Sequence, residues 1–224
     1  MMKIAMTMTV AIKQIMKIEG LYAVTPDDAL LPRLSGLVRM ALEGGVRLVQ
    51  YRNKTASPAL RRAQAAEMLR ICRAAGARLM INDDVALALE IGADGAHLGR
   101  DDLSECSLAD ARKALGSGRI LGVSCYDEMA RAEAAANAGA DYLAFGSVFV
   151  SATKPGAVRA PMSLLGEARR RFGLPVAAIG GITLETAPQV LTAGADMLAV
   201  ISDLFDAPDI RARAAAYGKL WHHS

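Results

Sequence analysis

Short apolar runs recur along the chain, and each is followed by a longer stretch with apolar positions at helical spacing. Three of the runs share a preface: IGADGAHLG (91–99), AGADYLAFG (138–146) and AGADMLAVI (193–201), with EGGVRLVQY (43–51) as a looser copy. In each, a helical pattern stops at a glycine, which suits the left-handed cap conformation that other residues resist. A run of about five mostly apolar residues comes next, the length of a strand buried on both faces in a parallel sheet. The pattern predicts strands near 20–24, 46–51, 78–82, 94–98, 119–123, 141–146, 175–180 and 196–201, with helices such as SPALRRAQAAEMLRICRAAG and DEMARAEAAANAGA between them. Eight such units of similar size predict an α/β fold, a single (β/α)8 TIM barrel over 19–224 with a short N-terminal extension at 1–18. A doubly wound open sheet is the alternative; it is disfavoured because no G-x-G-x-x-G fingerprint opens the first unit.

Composition narrows the function classes. The chain has 224 residues, 53% hydrophobic and 22% charged, which suits one ordered domain with a substantial core. A net charge of +3 and an aromatic content of 4% give no reason to expect nucleic acid, and the basic runs LRRAQ and ARRRF read as solvated helix faces. Cys72, Cys106 and Cys125 form no C-x-x-C pair, so neither a disulfide framework nor a zinc site is expected, and a reducing cytoplasm fits. No apolar run reaches the ~18 residues of a membrane span. The segment IAMTMTVAI has some character of a signal-peptide core, but Lys13 and Lys17 follow it without a small-residue cleavage site. Ala-rich outer helices suit either solvent or a second copy of the chain, so a homo-oligomer is left open.

In a barrel, residues just past the strand C-termini gather on one face, and loops after neighbouring strands, about 4.8 Å apart, meet there. Those ends read QYRNK, NDD, HLGRDD, GVSCY, VFVSATKPG, IGG and ISD. Asp83 follows the third strand and Asp101 and Asp102 the fourth, so carboxylates distant in sequence can share one ion, and oxygen donors favour Mg2+ over zinc. Arg52, Lys54 and Lys154 are cationic, and Ser124, Ser151, Thr153 and Ser202 supply hydroxyls. Gly180 and Gly181, beside the expected start of the following helix, offer backbone N–H groups to a phosphate. Plainer readings stand beside these. Asp83 could cap the helix after the third strand, IGG could be only a turn, His97 could be a packed strand histidine, and Cys125 a packed thiol. With His222 and His223 the only other histidines, a Ser-His-Asp triad lacks raw material. A carboxylate-held Mg2+ among cations suits a departing diphosphate, and a second anion site suggests transfer between two substrates.

From GLYAVTPD (20–27) to AVISDLF (199–205) the chain resembles the thiamine-phosphate synthase family, most specifically in VQYRNK, INDDVALALEIGADGAHLGRDDL, GVSCY, TKPGA and VAAIGGI. The resemblance implies a transferase that joins a hydroxymethylpyrimidine diphosphate to hydroxyethylthiazole phosphate, giving thiamine phosphate and pyrophosphate with Mg2+ present. Its mechanism would be ionisation to a pyrimidine carbocation captured by the thiazole nitrogen. Carried over by position, Gln50, Tyr51, Arg52, Asn53, Lys54, Asn82, Ser124 and Lys154 would bind the pyrimidine diphosphate, with Arg52, Ser124 and Lys154 acting in catalysis. Asp83 and Asp102 would hold Mg2+, while Ser151, Ala152, Thr153, Gly181, Ile201 and Ser202 would surround the thiazole phosphate. Two departures stand out: HLGR where the family often has HLGQ, which adds Arg100, and VSATK where it often has PTPTK, which removes two prolines. The rival functions are a thiazole tautomerase of the same barrel family and a non-catalytic sensor of a thiamine precursor.

Overall fold

The computed structural model describes residues 18–99, 107–150 and 158–221. Its strands are β1 (Gly20–Val24), β2 (Leu48–Tyr51), β3 (Arg78–Asn82), β4 (Gly95–Leu98), β5 (Ile120–Tyr126), β6 (Tyr142–Phe145), β7 (Val176–Ile179) and β8 (Met197–Val200). They alternate with helices α1 (Leu31–Glu43), α2 (Pro58–Ala74), α3 (Val85–Ile91), α4 (Leu108–Leu115), α5 (Met129–Asn137), α6 (Ser163–Phe172) and α7 (Ala187–Thr192); α8 (Ser202–Phe205) and α9 (Ile210–Gly218) follow the last strand. All pairings are parallel, and β1 pairs with both β2 and β8, which closes the barrel and excludes the open sheet. Every predicted strand is present. β5 runs past its predicted end to Tyr126, through a register shift between Ser124 and Tyr126.

Because side chains alternate along a strand, each strand divides its residues between two buried layers. One layer lies between the barrel and its helices and holds most of the Leu, Val, Ile and Ala core. The other fills the barrel interior with Tyr22, Val24, Leu48, Met80, Ile120, Tyr142, Ala144, Ala177, Met197 and Ala199. Large side chains fill the N-terminal half of the interior. Inward positions on β6, β7 and β8 include the small residues Ala144, Ala177 and Ala199, which line the cavity. Ile18, placed in the extension by the sequence pattern, packs against this interior cluster. Among the described residues no helix is long and apolar enough to cross a membrane.

The repeated G-A-D preface has a structural purpose at the opposite end of the barrel. Asp94 donates its backbone N–H to the Leu79 carbonyl (3.0 Å) and accepts the Leu79 N–H on its carboxylate (2.7 Å). Asp141 does the same with Leu121 (2.8 and 2.9 Å), and Asp196 with Val176 (2.7 and 2.9 Å). Each aspartate thereby clamps the start of one strand to the next, satisfying a backbone donor that the ladder leaves over. Arg112 pairs with Asp141 at 2.8 Å and Arg169 with Asp196 at 2.9 Å, so two of the carboxylates also have a cation.

Candidate active site

A cavity of about 380 Å³ opens at the C-terminal end of the barrel. The alternation of strand side chains decides which predicted residues reach it. Gln50, Arg52 and Lys54 line it, as do Asn82 and Asp83, Ser124, Gly180 and Gly181, and Ile201 and Ser202. Tyr51 and Asn53 do not. Tyr51 points outward, is buried, and donates its hydroxyl to Gln64 Oε1 (2.8 Å). Asn53 donates to the Asp28 carbonyl (2.7 Å) and to Gln64 Oε1 (2.9 Å), while its own Oδ1 accepts from the Thr55 and Ala56 N–H groups. These two positions shape the loop behind the cavity wall, because strand parity turns them away from the interior.

Arg52 and Lys54 are held by residues the sequence pattern did not single out. Thr25 Oγ1 donates to the Arg52 carbonyl and accepts its N–H, both at 2.9 Å. Asp27 Oδ1 meets the Arg52 guanidinium at 3.0 Å and accepts the Lys54 N–H at 3.1 Å. The Lys54 ammonium lies 3.2 Å from Asp83 Oδ2, to which the Asn82 amide also donates.

The two aspartates after β3 divide their work. Asp84 is the N-cap of α3 and accepts the Leu87 N–H at 2.8 Å. Asp83 sits in the bend before it with φ 67°, a left-handed geometry that Asp and Asn adopt more readily than most residues. Helix capping therefore belongs to Asp84, and the Asp83 carboxylate faces the cavity. Asp83 offers a hard oxygen donor, the type that suits Mg2+, and the side chains of Lys54 and Asp83 are 46% and 22% exposed. Among the described residues no cluster of three His, Cys, Asp or Glu side chains could hold a metal. Asp102, the expected second carboxylate, lies outside the described residues, as do Arg100, Asp101, Cys106, Ser151, Ala152, Thr153, Lys154, Pro155, Gly156, His222 and His223.

Below the mouth, a file of hydrogen bonds crosses the barrel. Gln50 Nε2 donates to Tyr22 Oη (2.7 Å), Tyr22 and Tyr142 share a hydroxyl contact (2.8 Å), Tyr142 Oη meets His97 Nδ1 (2.8 Å), and His97 Nε2 meets Ser124 Oγ (2.8 Å). His97 is thus bonded through both ring nitrogens inside this file. Burial pushes both phenols well above the usual tyrosine range, so they stay protonated. Sequence reasoning missed Tyr22 and Tyr142. The signal available was a bulky aromatic at an inward strand position facing a glycine: a Cβ on Gly122 would come within 2.0 Å of the Tyr142 ring.

Across the mouth, Gly180 and Gly181 take φ values of 104° and 63°. A Cβ on Gly181 would stand 2.2 Å from the Val150 carbonyl oxygen, so glycine is required for the loops after β6 and β7 to approach. One expectation needs correcting. The helix after β7 starts at Ala187, not beside the glycines; a turn in which Thr186 Oγ1 accepts the Thr183 N–H intervenes. Instead Ser202, the first residue of α8, lines this side of the cavity. The neighbouring Asp203 is engaged by Arg213 (3.2 Å) and by the Tyr217 hydroxyl (2.7 Å), which draws its charge away from an anion. Cys125 is buried, its thiol pushed up to about 12 chiefly by burial, and it is no nucleophile.

Residues 21–204 match the family described as thiamine monophosphate synthase. The thiamine-phosphate synthase of Aromatoleum aromaticum is 54% identical over 205 residues, covering 92% of this chain and 97% of that protein. That of Azoarcus sp. is 55% identical over 205 residues, with 92% and 98% covered. The solved thiamine phosphate pyrophosphorylase from Pyrococcus furiosus is similar in fold with a TM-score of 0.81 at 31% identity, covering 92% of this chain and 97% of that one.

Proposed function

The chain belongs to the thiamine monophosphate synthase family and is a transferase of that family, and from this premise we propose the substrates and course of its reaction. The cavity accepts a hydroxymethylpyrimidine diphosphate on the β2–β5 side and a hydroxyethylthiazole phosphate on the β7–β8 side. The methylene carbon–oxygen bond of the pyrimidine breaks and its electron pair leaves with pyrophosphate. The thiazole nitrogen then donates its lone pair to the methylene carbon, giving thiamine phosphate.

The observation that carries this reading is the division of one cavity. Gln50, Arg52, Lys54, Asn82, Asp83 and Ser124 line the wall from β2 to β5, and Gly180, Gly181, Ile201 and Ser202 the wall from β7 to β8. Arg52 and Lys54 offset the charge that develops on the diphosphate oxygen, an effect worth most in a site that excludes water. No strong base or nucleophile is needed, which agrees with a buried Cys125 and a His97 already bonded on both nitrogens. Asp83, with Asp102, would hold Mg2+, which when bound would neutralise further charge on the departing pyrophosphate. Lys154, in SATKPG, would bring a third cation to that oxygen from the loop after β6.

The test is direct. Mixing both substrates with Mg2+ should release pyrophosphate and thiamine phosphate in equal amounts, and neither substrate alone should release pyrophosphate steadily. Isomerisation of a thiazole phosphate without pyrophosphate release would instead identify a tautomerase.

A further inference from the structure

The hydrogen-bond file beneath the cavity has two ends, and both face the ligand space. Gln50 on β2 and Ser124 on β5 line the cavity, while Tyr22, Tyr142 and His97 connect them through the buried interior. Each phenol is 0–1% exposed, carries one proton and has two partners among the described residues. A hydroxyl with one proton and two neighbours donates to one and accepts from the other. The protons of adjacent members are therefore correlated. If Tyr22 accepts from Gln50, it donates to Tyr142, and Tyr142 donates to His97 Nδ1. A neutral imidazole accepting at Nδ1 carries its proton on Nε2 and gives it to Ser124 Oγ. With a neutral imidazole, the other arrangement of these bonds among the described residues reverses each of them and turns the Gln50 amide over.

We infer that Tyr22, Tyr142 and His97 are positioning residues whose protons run from Gln50 to Ser124, fixing Gln50 as an acceptor and Ser124 as a donor towards the ligand. In this direction Gln50 Nε2 is spent on Tyr22, which leaves Oε1 as its group for the cavity, and the Ser124 hydroxyl proton, not needed by His97, is free to point into the cavity. The pair presents one acceptor and one donor from strands on either side of the floor. A flat heteroaromatic ring with an amino group beside a ring nitrogen offers the complementary donor and acceptor. This last step rests on the aminopyrimidine reading above; the direction of the file does not. The Gln50 amide sets it, since Nε2 and not Oε1 stands 2.7 Å from Tyr22 Oη, and the Tyr142 ring stacked on His97 at 5.6 Å and edge-on to Tyr22 at 5.9 Å keeps the members of the file in line.

The tautomer of His97 reports the direction without any substrate. In protein labelled with 15N-histidine and carrying His222→Asn and His223→Asn, a single imidazole gives the signals. At neutral pH its Nε2 should be protonated and its Nδ1 bare. An Nδ1–H tautomer, or a ring protonated on both nitrogens, would overturn the inference whatever reaction the protein performs. Tyr142→Phe removes the donor to Nδ1, so the tautomers should become mixed, whereas Ser124→Ala should leave Nε2–H in place. Loss of one oriented hydrogen bond should raise KM for the pyrimidine diphosphate by roughly 5-fold in Tyr142→Phe, with KM for the thiazole phosphate unchanged. A Tyr142→Phe protein with the original tautomer and unaltered KM would also overturn it. If instead no thiamine phosphate forms but Nε2–H is found, the proposed reaction fails and the directed file stands.

Discussion

Asp27 Oδ1 holds the Arg52 guanidinium at 3.0 Å while accepting the backbone N–H of Lys54, two residues further on. One carboxylate oxygen thus holds the Arg52 guanidinium and the Lys54 backbone, and both residues line the cavity. The side chains of Arg52 and Asp27 are 15% and 32% exposed, enough for solvent to weaken the pair but not to dissolve it. Asp27→Ala should leave the fold intact, because Thr25 still bonds the Arg52 backbone on both sides. It should lower kcat/KM for the pyrimidine diphosphate by about 10-fold, since a charge-assisted bond is lost from the positioning of Arg52. Steady-state kinetics with each substrate varied in turn check this; equal loss for both would make Asp27 a general structural residue.

Asp83→Asn separates chemistry from backbone geometry. Asparagine tolerates the left-handed φ of 67° as well as aspartate does, so the melting temperature should barely move. If Asp83 holds Mg2+, turnover should fall roughly 10²-fold and the dependence on Mg2+ concentration should shift to higher values. Near-normal turnover with unchanged Mg2+ dependence would leave Asp83 as the ion-pair partner of Lys54 and nothing more.

Gly181→Ala tests the other wall. The added Cβ would stand 2.2 Å from the Val150 oxygen at a φ of 63°, so the loops after β6 and β7 must separate. Strain of this kind costs about 1–3 kcal/mol. Affinity for the thiazole phosphate should fall at least roughly 10-fold, in keeping with that cost, while the pyrimidine diphosphate binds as before. Calorimetric titration of each substrate decides it, and parallel loss of both would contradict a divided cavity.

The cysteines supply a prediction on reactivity. Burial pushes the thiols of Cys72 and Cys125 up to about 12. A thiol-specific reagent at pH 8 should label neither in the native protein and both after unfolding. Thiols in the unfolded chain ionise near ~8.5, so between that value and the folded pKa the native state binds more protons and stability falls as pH rises. Denaturant midpoints measured between pH 8 and 10 should decline, and Cys125→Ala with Cys72→Ala should lessen the slope.

The eight strands were legible because barrel strands buried on both faces are continuous apolar runs, and the repeated glycine marked where each helix stopped. Which face a strand-end residue occupies was harder to read. QYRNK looks like one ligand set, yet parity sends Gln50, Arg52 and Lys54 to the cavity and Tyr51 and Asn53 into the wall. Asp83 could be read in sequence as the cap of the next helix; the cap bond belongs to Asp84, which accepts the Leu87 N–H, while Asp83 takes a left-handed φ and lines the cavity. Tyr22 and Tyr142 stayed hidden because their role depends on closure, which brings β1 and β6 within reach of one hydroxyl contact over 120 residues of sequence. Asp27 was hidden for a related reason: its partners, Arg52 and Lys54, lie in the loop after the next strand.

The aspartate clamps join β3 to β4, β5 to β6 and β7 to β8, and each lies at the end of the barrel away from the cavity. Each clamp is therefore contained in one contiguous strand–helix–strand segment. Three of the four strand pairs are fastened in this way, and among the described residues no such aspartate bond at this end of the barrel joins one pair to the next. New termini cut at Gly116–Gly118, with the native ends joined, would leave every clamp within its own segment, whereas a cut within α5 would divide Leu121 from Asp141. A rearranged gene opened at the first point should yield a folded barrel more readily than one opened at the second. Since the fastenings stand opposite the mouth, the loops that face the ligands are free to vary in sequence without loosening the ring beneath them.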